Sequence, residues 1–121
     1  MSKIVGLKGE VEAQEYLKNK GYEIVSTNYK NKIGEIDIIC KKDGVLVFVE
    51  VKTRESLKFG HPREAVNYHK QMKIRSVAIG YLKYKNLYEK CPIRFDVIDI
   101  VGQNLTHIEN AFWLINRHFL S

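Results

Sequence analysis

Cysteine is scarce and never clustered: the chain has two, Cys40 and Cys91, with no CxxC pair and no Cys/His ligand spacing around either. That argues against a structural zinc site and against a disulfide framework. Beside β-rich apolar segments, both cysteines read as buried free thiols. No stretch approaches the roughly 20 apolar residues that span a bilayer, and Met1 to Val5 lacks the apolar run of a signal peptide. No membrane association is expected, and the cytoplasm is the expected compartment. No repeat, low-complexity tract or Pro/Gly/Ser linker interrupts the chain, so residues 1–121 are read as one domain.

What is present is ordinary in bulk. A chain of 121 residues with 45% hydrophobic and 28% charged residues supports one modest core. The net charge of +6 favours an anionic partner, nucleic acid first and an anionic membrane surface second. Many small soluble proteins are equally basic, so charge alone decides nothing.

The periodicity is more informative. Val5 to Lys20 is helical in pattern, with Leu7 and Val11 four apart, Ala13 and Leu17 four apart, and Gly21 as a stop. Tyr22 to Tyr29 reads as a strand. Glu35 to Lys41 and Val45 to Thr53 are two more, joined through Asp43-Gly44, the strongest short-range hairpin signal. Val45-Leu46-Val47-Phe48-Val49 is apolar throughout, which implies burial on both faces at the centre of a sheet. Gly60 and Pro62 punctuate a loop before a long helix from Arg63 to Tyr84, with Val66, Ile74, Val77, Ala78, Tyr81 and Leu82 as its apolar stripe. Arg94 to Val101 is a strand with Phe95, Val97 and Asp99 on one face, and Leu105 to Phe112 adds a short edge strand. The order αβββαβ(β) predicts an α/β fold, a mixed central β-sheet flanked by helices.

One constellation carries chemistry. Asp37 interrupts the apolar stretch Ile36-Asp37-Ile38-Ile39, and Glu50-Val51-Lys52 directly follows the apolar run. Glu50 and Lys52, two apart on a strand, share a face. A hairpin turning at Asp43-Gly44 makes Asp37 and Glu50 near cross-strand partners. Two carboxylates forced together repel unless a cation or a proton sits between them. Hard oxygen ligands of this kind suit Mg²⁺, with Mn²⁺ as a substitute, and the Val51 carbonyl is a further candidate ligand. Such a metal polarises a scissile phosphate and generates hydroxide from water. Lys52 would orient or deprotonate the attacking water, or neutralise transition-state charge. Glu10, on the helix face of Ala13 and Leu17, would help hold the metal directly or through water, with Gly6 and Gly9 permitting close packing.

Each piece also has an ordinary reading. Glu-x-Lys on a strand is commonly an exposed ion pair, Asp37 fits a hydrogen-bonded sheet residue, Glu10 a capping acid, and Glu35 an exposed loop acid. The conjunction of an acid in an apolar strand, a hairpin, and Glu-x-Lys ending a buried strand favours a site, because buried charge is costly without a purpose.

The segments Gly34-Glu35-Ile36-Asp37-Ile38-Ile39 and Val47-Phe48-Val49-Glu50-Val51-Lys52-Thr53-Arg54 resemble the PD-(D/E)XK nuclease superfamily. More closely, the chain resembles the YraN family of small bacterial proteins. That likeness extends from Gly6-Leu7-Lys8-Gly9-Glu10 through Arg94-Phe95-Asp96-Val97-Ile98 to Asn110-Ala111-Phe112. The resemblance implies a restriction-endonuclease-like fold akin to archaeal Holliday junction resolvases, which are dimeric and Mg²⁺-dependent. It assigns metal-ligand roles to Glu10, Asp37 and Glu50 and the catalytic lysine role to Lys52. Ile36 stands where the superfamily motif has proline, and Gln71 is followed four residues on by Arg75 rather than tyrosine.

For nucleic acid, Lys70 is expected to lean toward the core stripe and reach a phosphate, while Lys73 and Arg75 face outward. Arg54 would share the Lys52 face. Tyr29-Lys30-Asn31-Lys32 and Lys58-Phe59-Gly60-His61 form two basic loops. The expected function is a Mg²⁺-dependent endonuclease acting on structured or branched DNA as a homodimer, since cutting two strands needs a symmetric pair of sites. No small-molecule cofactor is expected. The rivals are a nuclease-fold binding module without turnover and a protein-interaction adaptor.

Overall fold

In the computed structural model, which describes residues 3–55 and 66–114 with side chains from residue 6 onward, seven elements are present. They are α1 (Lys3–Asn19), β1 (Glu23–Lys30), β2 (Glu35–Lys42), β3 (Val45–Arg54), α2 (Tyr68–Tyr84), β4 (Ile93–Val101) and β5 (Asn104–Phe112). The strands form one sheet in the order β1-β2-β3-β4-β5. Its pairs are antiparallel except β3 with β4, which is parallel. The expected mixed central sheet is therefore observed, and the last strand lies at its edge as expected, nine residues long.

Local chemistry explains the order. Asp43 and Gly44 both take positive φ, 53° and 79°, the two-residue turn whose twist matches antiparallel strands. Lys42 therefore pairs with Val45, and the register runs on to Ile38 with Val49. The parallel β3–β4 pair needs a crossover, and α2 supplies it. Asn67 caps α2: its side-chain oxygen accepts from the Lys70 N–H at 2.9 Å. That cap, satisfying an otherwise orphan donor, starts the helix at Tyr68 rather than near Arg63, which itself lies outside the described residues.

The helices cover opposite faces. One core joins α2 (Ile74, Val77, Ala78, Tyr81, Leu82) to Phe48, Phe95, Val97 and Phe112; the other joins α1 (Ala13, Leu17) to Ile38, Val47, Val49, Ile98 and Ile100. Strand β3 thus feeds both cores by simple alternation, as its unbroken apolar run requires. Cys40 is buried, Cys91 is half-buried, and both are free thiols. No described helix is long and apolar enough to cross a membrane.

Gly9 sets how closely α1 lies on β3. A Cβ at Gly9 would stand 2.1 Å from Cγ2 of Thr53, whereas one at Gly6 would meet nothing within 4 Å. Gly9→Ala is therefore expected to lower stability by about 1–3 kcal/mol, as overpacking does, despite the better helix propensity of alanine. Gly6→Ala should be neutral or stabilising. Urea unfolding of the two variants checks this, and equal midpoints would refute the close-packing role of Gly9.

Candidate functional site

The sheet opens where the acids lie. Strand β2 pairs with β1 as far as Lys30 opposite Glu35, yet its pairing with β3 stops at Ile38 and Val49. Residues 35–37 therefore stay with β1 and lean away from β3. Alternation breaks at the same place: Ile38 and Cys40 join the α1-side core, while Ile36 and Ile39 join the α2-side core. Across on β1, Asn28 takes φ 52° between the paired residues Thr27 and Tyr29. Asparagine tolerates that left-handed conformation better than most residues.

Asp37 fills the gap with its side chain. Its Oδ2 accepts the Val51 N–H at 2.8 Å, standing in for a ladder partner from β2. Glu50, one residue before Val51, points to the α2 side, where Lys70 Nζ lies 2.7 Å from Oε1. Asp37 and Glu50 are both buried, 8% and 6% exposed, and lie close enough for the Glu50 charge to act on Asp37. Around them opens a cleft of about 410 Å³ lined also by Glu10 from α1, Glu35 and Lys52 from the strands, and Lys70 and Lys73 from α2. The split sheet lets helices from both faces reach one cavity.

Charge in this cleft is strained. Burial, and after it the Glu50 charge, push the Asp37 carboxyl from 3.8 up to about 7, against the Val51 hydrogen bond. Burial raises Glu50 as well, opposed by the hydrogen bond and charge of Lys70. Burial pulls the Lys70 ammonium down, but its hydrogen bond to Glu50 and the nearby carboxylates outweigh this and raise it. An acid raised from 3.8 to about 7 keeps its proton when folded but releases it when unfolded, so stability falls as pH rises through that window. Asp37→Asn should remove this penalty. Its melting temperature should exceed that of the wild type by a margin that grows up to about pH 7 and then levels off. Calorimetry in metal-free buffer checks it; a margin independent of pH would contradict the burial of Asp37 beside Glu50.

The remaining candidates separate by position. Glu10 lines the cleft, and its charge adds to the rise of Asp37. Lys52 is exposed and lines the cleft beside Val51. Lys73, expected to face outward, lies on the cleft wall, its side chain passing beside Gly34. Lys32 is exposed in the β1–β2 turn and is not among the lining residues. Arg54 turns from the cleft and pairs with buried Asp99 at 2.8 Å. Arg75 is held by the Trp113 carbonyl and by Gln71, with its guanidinium over the Phe112 ring at 5.5 Å. Tyr29 packs edge-on against Tyr81, 5.0 Å between centroids, and serves the core. The basic loop Lys58-Phe59-Gly60-His61 lies outside the described residues.

The donor set fits a hard divalent cation. Glu50 already holds a cation, the Lys70 ammonium, at 2.7 Å. Mg²⁺ takes one or two carboxylates and fills its other positions with water and phosphate oxygens. No three His, Cys, Asp or Glu side chains gather as a metal cage among the described residues. The carboxylates facing the cleft from which such a cation could draw oxygen ligands are Asp37, Glu50 and Glu10.

A second polar cluster escaped the sequence reading. Asp96 on β4 is fully buried and accepts from Arg94 Nε and Nη2, both at 2.8 Å, and from the Asn110 N–H at 3.0 Å; it also shares a hydrogen bond with His107 Nε2 at 2.7 Å. His107 also meets the Tyr16 hydroxyl at 3.1 Å. Burial raises the Asp96 carboxyl, but the hydrogen bonds from His107 and Arg94 outweigh it and hold the group below its ordinary value. Its signal was the one that revealed Asp37, an acid inside an apolar strand.

These features define a class: an α/β protein with a five-stranded mixed sheet between two helices and an acidic, lysine-rimmed cleft at a strand split. The chain belongs to the UPF0102 family, whose model, described as "Uncharacterised protein family UPF0102", matches residues 9–100. This is the YraN family that its motifs resemble. The matched span contains Glu10, Asp37, Glu50, Lys52 and Lys70. A UPF0102 protein of Alkaliphilus oremlandii is 50% identical over 117 residues, covering 93% of this chain and all of the relative. One from Caldicellulosiruptor bescii is 51% identical over 116 residues, covering 91% of this chain and 98% of its own. A third, from Thermodesulfovibrio yellowstonii, is 46% identical over 109 residues, covering 90% and 96%.

Proposed function

We propose that this protein is a Mg²⁺-dependent endonuclease of restriction-endonuclease-like fold that hydrolyses phosphodiester bonds in structured or branched DNA as a homodimer. The observation that carries the reading is the pair of buried carboxylates, Asp37 and Glu50, lining one cleft at the split between β2 and β3. Like charges this close call for a cation or a proton.

Asp37 and Glu50 would hold the metal, with the Val51 carbonyl as a third ligand and Glu10 acting directly or through water. When bound, Mg²⁺ supplies Lewis acidity toward a phosphate oxygen and lowers the pKa of water. The chain's own residues do the rest. The Val51 N–H fixes the Asp37 carboxylate, so that it is aimed before substrate arrives. Lys52, exposed at the cleft, orients the attacking water or neutralises charge at the phosphate. Lys70 and Lys73 on the α2 wall bind the DNA backbone, with Lys32 at the neighbouring turn, and contacts of this kind are salt-dependent and largely blind to sequence. Arg54 and Arg75 are assigned to holding Asp99 and the end of β5, since their guanidinium groups are already engaged there.

Purified protein against linear, nicked, flapped and four-way DNA, with Mg²⁺ or Mn²⁺, tests the proposal. Metal-dependent cleavage favouring a branched substrate is expected. Binding without cutting on every substrate would favour a nucleic-acid-binding module instead.

A further inference from the structure

Lys70 sits in the first turn of α2, three residues past the cap Asn67, with no acid in that turn. A cation there faces the positive end of the helix dipole, so its own helix disfavours it. Glu50 compensates: Lys70 Nζ is 2.7 Å from Oε1, the lysine side chain 49% exposed and the Glu50 side chain 7%. The half-exposed arm has an open way off the carboxylate, whereas Glu50 is fixed on β3. Lys52 and Lys73 line the same cleft, so a phosphate entering it meets further positive charge. An ammonium and a divalent cation held together on Glu50 would repel each other at short range, so each weakens the hold of the other.

We infer that Lys70 is a built-in counter-cation that competes with the divalent metal for Glu50 and, once displaced, takes the phosphate of the nucleic acid. The inference rests on the proposed reading of the cleft as a metal and DNA site. Its consequence is coupling. Lys70 weakens metal binding in the free protein, and it strengthens DNA binding only after leaving Glu50, so metal and DNA favour each other's binding by the same factor.

The test is calorimetric titration of Mn²⁺ into the full chain, comparing wild type with Lys70→Met, Lys70→Gln, Lys70→Arg and Glu50→Gln. Lys70→Met and Lys70→Gln should bind Mn²⁺ roughly tenfold more tightly, a typical coupling, and Lys70→Arg should behave as wild type. Anisotropy of a labelled four-way junction, in a Lys52→Ala background that slows turnover, supplies the second arm. Mn²⁺ should tighten junction binding roughly tenfold when Lys70 is present and not detectably when it is methionine. If Glu50→Gln abolishes Mn²⁺ binding while Lys70→Met leaves it unchanged or weaker, the counter-cation role is overturned and the metal site stands. If neither wild type nor Lys70→Met binds Mn²⁺, the metal site itself falls, and this inference with it. Binding by Lys70→Met alone would be its strongest support.

Discussion

Glu50→Ala is expected to lower metal-dependent DNA cleavage by about a hundredfold to a thousandfold, the scale on which losing one electrostatic stabiliser of a transition state acts. Glu50 is the more deeply placed of the paired acids and the one that already holds a cation. The same change should leave the fold intact and DNA binding undiminished. It relieves Asp37 of a neighbouring negative charge and frees Lys70 to meet phosphate. Lys52→Ala should cost about a hundredfold to ten-thousandfold, the range for a positioned proton-transfer or charge-neutralising group, again without loss of binding. Gel assays of cleavage alongside anisotropy of binding separate the two effects. Retained cleavage in Glu50→Ala would show that the activity resides elsewhere.

The second large effect is on stability. Asp96→Ala should destabilise the protein by about 3–5 kcal/mol, the usual result of removing one member of a buried ion pair. Asp96 has no exposure, and its loss strands Arg94, His107 and the Asn110 N–H together. These groups tie β4 to β5, and Arg94 reaches on to the Tyr22 hydroxyl. Against a typical total of about 5–15 kcal/mol, the variant should unfold at markedly lower urea or temperature. Because the folded-state pKa of Asp96 lies below its ordinary value, its contribution is present at neutral pH. It fades as pH falls through the ordinary carboxylate range and below, so the gap between wild type and variant should narrow in acid. A midpoint within about 1 kcal/mol of wild type would mean that the cluster carries little of the fold's stability.

The two acids were legible in the sequence for different reasons. Glu50 and Lys52 follow from the period of two along a buried strand, and Asp43-Gly44 determines the register, paired as far as Ile38 with Val49, that brings Asp37 near Glu50. The split that makes a cleft of this pairing was not legible. There the Asp37 carboxylate takes the place of a backbone acceptor at Val51, and Asn28 on β1 takes a φ of 52°. Neither leaves a periodic trace. Helical spacing pointed Lys70 toward the site, but the carboxylate it meets was hidden, because side-chain partners across elements are tertiary facts. Asn67 carried a readable cap signal that outweighs the apolar pattern extending back to Arg63. Arg54 shows the opposite limit: strand alternation placed it with Lys52, while buried Asp99, on the neighbouring parallel strand, claims its guanidinium.

The most direct measurement is anomalous diffraction from crystals soaked in Mn²⁺. A peak within bonding distance of both the Asp37 and Glu50 carboxylates, with Lys70 drawn off Glu50, is the expected result. An absence of any peak there, or a peak confined to other acids with the Lys70–Glu50 pair intact, would contradict a metal centre at the split between β2 and β3.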